Sequence, residues 1–396
     1  MQFSGLSTDQ APPISAPLRF FLTAPIFGVL AGILILFSDS STLMSRYSLD
    51  SIVITHVMTI GFFAFVMLGA ITQMLPVLAG AKIPKVEFAT RHSHELLVLG
   101  LIMMILGFYQ ESQIYNLVAL ISLGSGFGIL LVSILIAIKG VENITATVRA
   151  ITTSVIFAIS IVIMGMILLY SYIVGDITVF HHNLANIHSV LAIFGFAGVL
   201  IIGVAFQVLP MFYVAPHFKR FCKTYVVWLI TSGLLVWAVL NSFDNSFTLV
   251  GKFWIALFFW AFATTVWRKL SLRKRPISDV TVWYWRAASI YMTLGTFLWI
   301  FDEFFKDEYI VMVAILIGGG FILSIMVGML YKIVPFLVWF HLNAKGYMSI
   351  PTINEMINKN VAKVQFVTLM LSLVGFIFSD FNVFSMFLMS SSSFVI

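Results

Sequence analysis

Apolar positions along this chain fall in long unbroken runs, not in the one-sided stripe of a soluble helix or the alternation of a half-buried strand. A helix needs about 20 mostly apolar residues to cross the hydrocarbon of a bilayer. Runs of roughly that length, separated by Gly, Pro and polar punctuation, predict twelve spans: 17–38, 51–79, 94–110, 114–138, 149–174, 182–212, 224–242, 246–267, 281–300, 308–340, 361–379 and 381–396. The last is the weakest, being short and interrupted by four serines, Ser390 to Ser393.

Charge placement tests that map independently. If the N-terminus is on side one, nineteen of the 22 Lys and Arg residues fall on that side, and only Arg46, Lys252 and Lys306 on the other. Ten of the sixteen acidic residues lie on side two, four of them in the segment DEFFKDE at 302–308. Loops rich in Lys and Arg stay cytoplasmic, so both termini are expected in the cytoplasm of a bacterial-type inner membrane.

Three of the predicted spans share a motif. Gly61 to Pro76 reads GFFAFVMLGAITQMLP, Gly195 to Pro210 reads GFAGVLIIGVAFQVLP, and Gly320 to Pro335 reads GFILSIMVGMLYKIVP. All obey G-F-x6-G-x3-[Q/K]-x2-P without a gap, and the motif falls on spans two, six and ten. The expected fold class is therefore an all-α polytopic membrane protein. About twelve helices form one membrane domain over 1–396, as three four-helix repeats (17–138, 149–267, 281–396) around a pseudo-threefold axis with spans two, six and ten innermost. Gly61, Gly69, Gly195, Gly203, Gly320 and Gly328 let helices approach closely, as small residues do in membranes. Pro76, Pro210 and Pro335 are expected to end or kink their helices near the cytoplasmic face. Close backbone approach also suits a flat cofactor lying between helices, so packing and cofactor readings coexist.

Composition narrows the function classes. Hydrophobic residues make up 61% of the 396 and charged ones 10%, against roughly a quarter charged in a soluble domain. Soluble enzymes, nucleic-acid binders and disordered regulators are excluded, and the net charge of +6 reads as the membrane asymmetry above. A lone cysteine, Cys222, rules out an internal disulfide and a cysteine-built metal site. The first seventeen residues hold no Lys or Arg and no apolar core, so no cleavable leader is expected.

Ionisable groups inside hydrocarbon are functional candidates by default. His56 lies five residues into span two, and His188 at similar depth in span six; both spans enter from the outer side. Neutral imidazole is a common ligand for haem iron and copper, so His56 and His188 are the candidate cofactor ligands, the alternative being hydrogen-bonded structural histidines. His181 and His182, at the mouth of span six, are candidate metal ligands or interfacial residues. His217 and His341 read as interfacial, and the H-x-H of His92 and His94 does not put both rings on one helical face. Gln73, Gln207 and Lys332 occupy one motif position; interhelical hydrogen bonding accounts for the glutamines and snorkelling for the lysine. Among the 19 methionines, Met58 and Met211 are possible soft copper ligands, while most are membrane filler.

These features together resemble the catalytic subunit of haem–copper oxidases: twelve spans, cytoplasmic termini, three four-helix arcs and a histidine near the outer end of span two. At this length the chain is similar to the smaller NnrS-type haem–copper membrane proteins linked to nitric oxide tolerance. The resemblance implies that His56, in THVMTIGFF, corresponds to a haem ligand. It implies that His188 is the nearest match to the family's copper ligand on span six, although it sits two residues earlier against the motif. The departures are large. Span ten has no histidine within the membrane, His341 lies at its wrong end, and the adjacent histidines that open span seven are absent from FKRFCKTYVVW. A full two-haem, one-copper oxygen-reducing centre cannot be assembled, so any oxidoreductase chemistry is expected to rest on one haem, with copper as an alternative metal. One imidazole on the iron leaves a position for a small gaseous ligand, whereas two close it and favour electron transfer.

Two other classes share the topology. A secondary transporter also commonly has twelve spans, but it usually rests on two halves with helices broken at mid-membrane. A non-catalytic subunit or assembly factor of a respiratory complex would use the acidic 302–308 loop to dock a cationic cytochrome.

Overall fold

The computed structural model describes residues 12–243, 247–274, 279–305, 308–347 and 349–377. The long helices in these residues are α1 (Ser15–Phe37), α2 (Leu49–Ala79), α3 (Val86–Tyr109), α4 (Gln113–Lys139), α5 (Ala146–Val174), α6 (Val179–Tyr213), α7 (Arg220–Ser242), α8 (Thr248–Ser271), α9 (Val280–Phe301), α10 (Ile310–Ala344) and α11 (Lys359–Ile377). They match the first eleven predicted spans to within a few residues at most ends; α3 begins eight residues early. The expected twelfth span, 381–396, lies outside the described residues. Nine of the helices, all but α9 and α11, are long and apolar enough to cross a bilayer among the described residues. The chain is an all-α, multi-spanning membrane protein.

Local chemistry sets where the helices start and stop. The side chains of Ser48, Ser112, Thr145 and Asp279 accept from backbone N–H groups in the first turns of α2, α4, α5 and α9, satisfying donors that have no partner within the helix. Left-handed Gly80 (φ 67°) and Gly175 (φ 75°) close α2 and α5, a conformation glycine adopts without steric cost.

Burial sorts the helices. The apolar stretches of α2, α6 and α10 are 61, 72 and 61% buried, against 28% for α5 and α7, so the three motif helices are the innermost of these spans. Each switches from α to π geometry around the first motif glycine, at Val57–Ala64, Leu191–Gly198 and Ile315–Leu323. Each also packs against the long helix that precedes it: α2 on α1, α6 on α5, α10 on α9. The glycines permit this contact. A Cβ on Gly61, Gly195 or Gly320 would come within 2.5–2.8 Å of the Phe27, Phe157 or Tyr291 ring. A Cβ on Gly69, Gly203 or Gly328 would run into Phe21, Ala150 or Tyr284.

The prolines behave differently from one another. Helices α2 and α6 stop three residues beyond Pro76 and Pro210, but α10 continues nine residues past Pro335 to Ala344. That extension is anchored: His341 bonds the Leu337 carbonyl through Nδ1 (2.9 Å) and the Pro12 carbonyl through Nε2 (3.0 Å).

Candidate functional site

His56 is the last residue of α2 before its π segment, and His188 precedes the π segment of α6 by three residues. Their rings come together, with centroids 6.2 Å apart and planes 27° from parallel. The two-residue offset against the motif does not separate them, because each ring is held differently. His56 Nδ1 bonds the carbonyl of Ile52 one turn back on its own helix (2.7 Å). His188 Nδ1 reaches across to the carbonyl of Ile161 on α5 (3.1 Å). Gly165, one turn further along α5, makes room: a Cβ there would lie 3.2 Å from His188 Cε1.

Those bonds set the tautomer. A carbonyl oxygen only accepts, so each Nδ1 carries the proton and each Nε2 keeps its lone pair. Tying Nδ1–H to a carbonyl is how metal-binding imidazoles are oriented. The two rings lie close together, and an unprotonated Nε2 on each is the donor that a haem iron or a copper ion would require of them.

The other histidines stand apart from this pair. His181 shares a face of α6 with His188 but lies seven residues, about 10 Å, nearer the start of the helix. It is buried against Tyr172 with its Nδ1 unpartnered, while His182 faces outward and meets the Tyr47 ring. Among the described residues no cluster of three or more His, Cys, Asp or Glu is placed to hold a metal ion. His94 is fixed by Thr23 (2.8 Å) and the Phe20 and Phe65 rings; His92 lies on Phe88.

The shared polar motif position has three different environments. Gln73 is buried with neither amide atom hydrogen-bonded, so the expected interhelical bond is not made. Gln207 is exposed and lines a cavity of about 500 Å³ with His217 and Lys274. Lys332 does not snorkel to the surface: it is buried and forms an ion pair with Asp279, the residue that caps α9. The partner was missed because Asp279 lies outside the spans, where a carboxylate reads as an ordinary loop residue. Gly165 and the Ile161 carbonyl carried no pattern that singled them out.

The acidic segment that opens at Asp302 is partly internal. Asp302 is fully buried and accepts from the Tyr309 backbone N–H (2.7 Å). Glu303 pairs with Lys252 and accepts from Thr248. Asp307 lies outside the described residues.

No protein-family model matches the chain, and no curated protein is similar to it in sequence. Fold and site thus define it by class, as a polytopic α-helical membrane protein with a histidine pair between two inner helices.

Proposed function

We propose that this is a haem-binding, oxidase-like membrane protein in which His56 and His188 hold one metal centre in the outer half of the bilayer. The observation that carries the reading is the 6.2 Å ring separation with both Nδ1 atoms tied to carbonyls. The repeated glycine–aromatic packing and the π segments on α2, α6 and α10 support three four-helix units, and the basic-residue asymmetry supports cytoplasmic termini. A haem held by both imidazoles would supply electron transfer in place of gas binding. The chain's part is to present both lone pairs: Ile52 orients His56, Ile161 orients His188, and Gly165 admits the second ring. The same two imidazoles would also suit a copper ion, and metal analysis distinguishes the two.

Absorption spectra of detergent-purified protein, oxidised and reduced, test this. One haem per chain is expected, with a Soret band that His56→Ala or His188→Ala weakens or abolishes. Gly165→Leu, which crowds the His188 ring while leaving both ligands in place, should weaken it too. Folded protein carrying neither haem nor copper, or a band indifferent to both histidines, would sink the reading. Substrate uptake by vesicles of such metal-free protein would favour a transporter.

A further inference from the structure

The molecule carries a second feature, on its lipid-facing side, that the histidine pair does not explain. Helices α5 and α7, the least buried of the apolar spans, leave between them a groove of about 830 Å³ floored by Ile187 and Leu191 of α6. Those two residues are one turn apart, and His188, about 60° round the helix from Leu191 and about 100° from Ile187, does not line the groove. The walls run from Arg149 to Met164 on α5 and from Trp228 to Ser242 on α7, fifteen and fourteen residues, or about 21–22 Å at 1.5 Å per residue. One leaflet is half of about 30 Å of hydrocarbon. The groove is long enough to take a whole acyl chain of its leaflet.

Four of the five hydroxyls along it are turned inward. Thr152, Ser160, Thr231 and Ser242 donate to carbonyls one turn back on their own helices, at 2.8–3.1 Å. Such back-bonding leaves methyl and methylene groups toward the groove. The one charged side chain lining it is Arg149, at the end where α5 begins and Lys219, Arg220 and Lys223 open α7. Among the described residues its guanidinium makes one internal hydrogen bond, from Nη2 to the Lys223 carbonyl (3.1 Å). Its remaining donors form the planar fork that recognises phosphate.

We infer that this groove holds one anionic phospholipid of the leaflet at the Arg149 end, its acyl chain along α5 and α7 and its phosphate on Arg149. The cationic Arg149 end favours this occupant over a quinone-type lipid, which carries no anionic headgroup. The proposal is independent of the histidine site.

Native mass spectrometry of the full chain in mild detergent, titrated with phosphatidylglycerol or phosphatidylcholine, tests it. One phosphatidylglycerol per chain should bind in preference to phosphatidylcholine. Loss of a charge-assisted contact in Arg149→Gln should weaken that binding about tenfold or more, and Arg149→Lys should restore most of it. Leu235→Trp, which fills the groove and leaves Arg149 intact, should abolish it, and it decides the matter if Arg149→Gln fails to fold. Equal binding of both lipids, unchanged binding in Arg149→Gln or in Leu235→Trp, or a stoichiometric isoprenoid lipid in the groove would each overturn the proposal.

Discussion

Asp279→Ala is expected to destabilise the protein by about 3–5 kcal/mol, the cost of leaving a buried charge without its partner. Lys332 is 4% exposed, and its ammonium meets the Asp279 carboxylate and, at 5.9 Å, the Tyr213 ring. The same carboxylate accepts from the Thr281 N–H and hydroxyl (2.9 Å each), and Tyr213 donates to Thr281 (2.9 Å). One acid thus links α6, α9 and α10. The double variant Asp279→Ala/Lys332→Met removes both charges and should recover most of the loss, keeping about 1 kcal/mol for the missing helix cap. Thermal unfolding in detergent measures both. Equal loss in single and double variants would refute the ion pair as the source.

That link is pH-dependent. Burial alone would raise the Asp279 carboxyl, but the Lys332 charge, with hydrogen bonds from Lys332 and Thr281, outweighs it and holds the group below its ordinary value. Stability from a depressed carboxylate is complete above the unfolded value and is lost as pH falls through the folded one. The stability gap between the natural protein and Asp279→Asn should therefore be constant near neutrality and close on acidification below about pH 4.

Gly203→Leu is the second large effect expected. A Cβ at Gly203 would overlap the Cβ of Ala150 and sit 3.4 Å from its Cα. An alanine side chain cannot rotate away, so α5 and α6 must separate, and their separation strains the bond from Thr147 Oγ1 to the Gly203 carbonyl (3.0 Å). Overpacking of this kind costs about 1–3 kcal/mol, more when backbone must shift. Gly203→Ala should cost less than leucine but still destabilise. Gly128, inside α4 with open space where its Cβ would be, is the contrast: Gly128→Ala should be neutral or stabilise by up to about 1 kcal/mol. If the two alanine variants unfold alike, the close-approach account is wrong.

Much of the architecture was legible in the chain. Eleven predicted spans appear as helices because solvation in lipid forces every backbone polar group into an internal hydrogen bond, so apolar run length reads directly as helix length. The motif glycines were legible as contact points; the residues they accommodate, Phe27, Phe157 and Tyr291, were not, because nothing in a lipid-facing aromatic distinguishes it from an inward one. His56 and His188 were paired from depth alone, and the structure brings their rings together. Their hydrogen-bond partners are main-chain carbonyls, which every residue carries and no sequence marks. Lys332 was misjudged because depth in one helix says nothing of the acid on the next.

Run length, charge asymmetry and the threefold-repeated glycines are one-dimensional quantities, and the amino-acid order by itself determined the helices and which three lie innermost. The tertiary structure alone decided that two imidazoles meet with their Nδ1 atoms occupied, that Lys332 is paired, and that a lipid-sized groove opens beside Arg149. Those depend on how helices rotate about their own axes. Rotation is set by side-chain packing across interfaces, and hydropathy does not encode it, since lipid and protein interior are almost equally apolar.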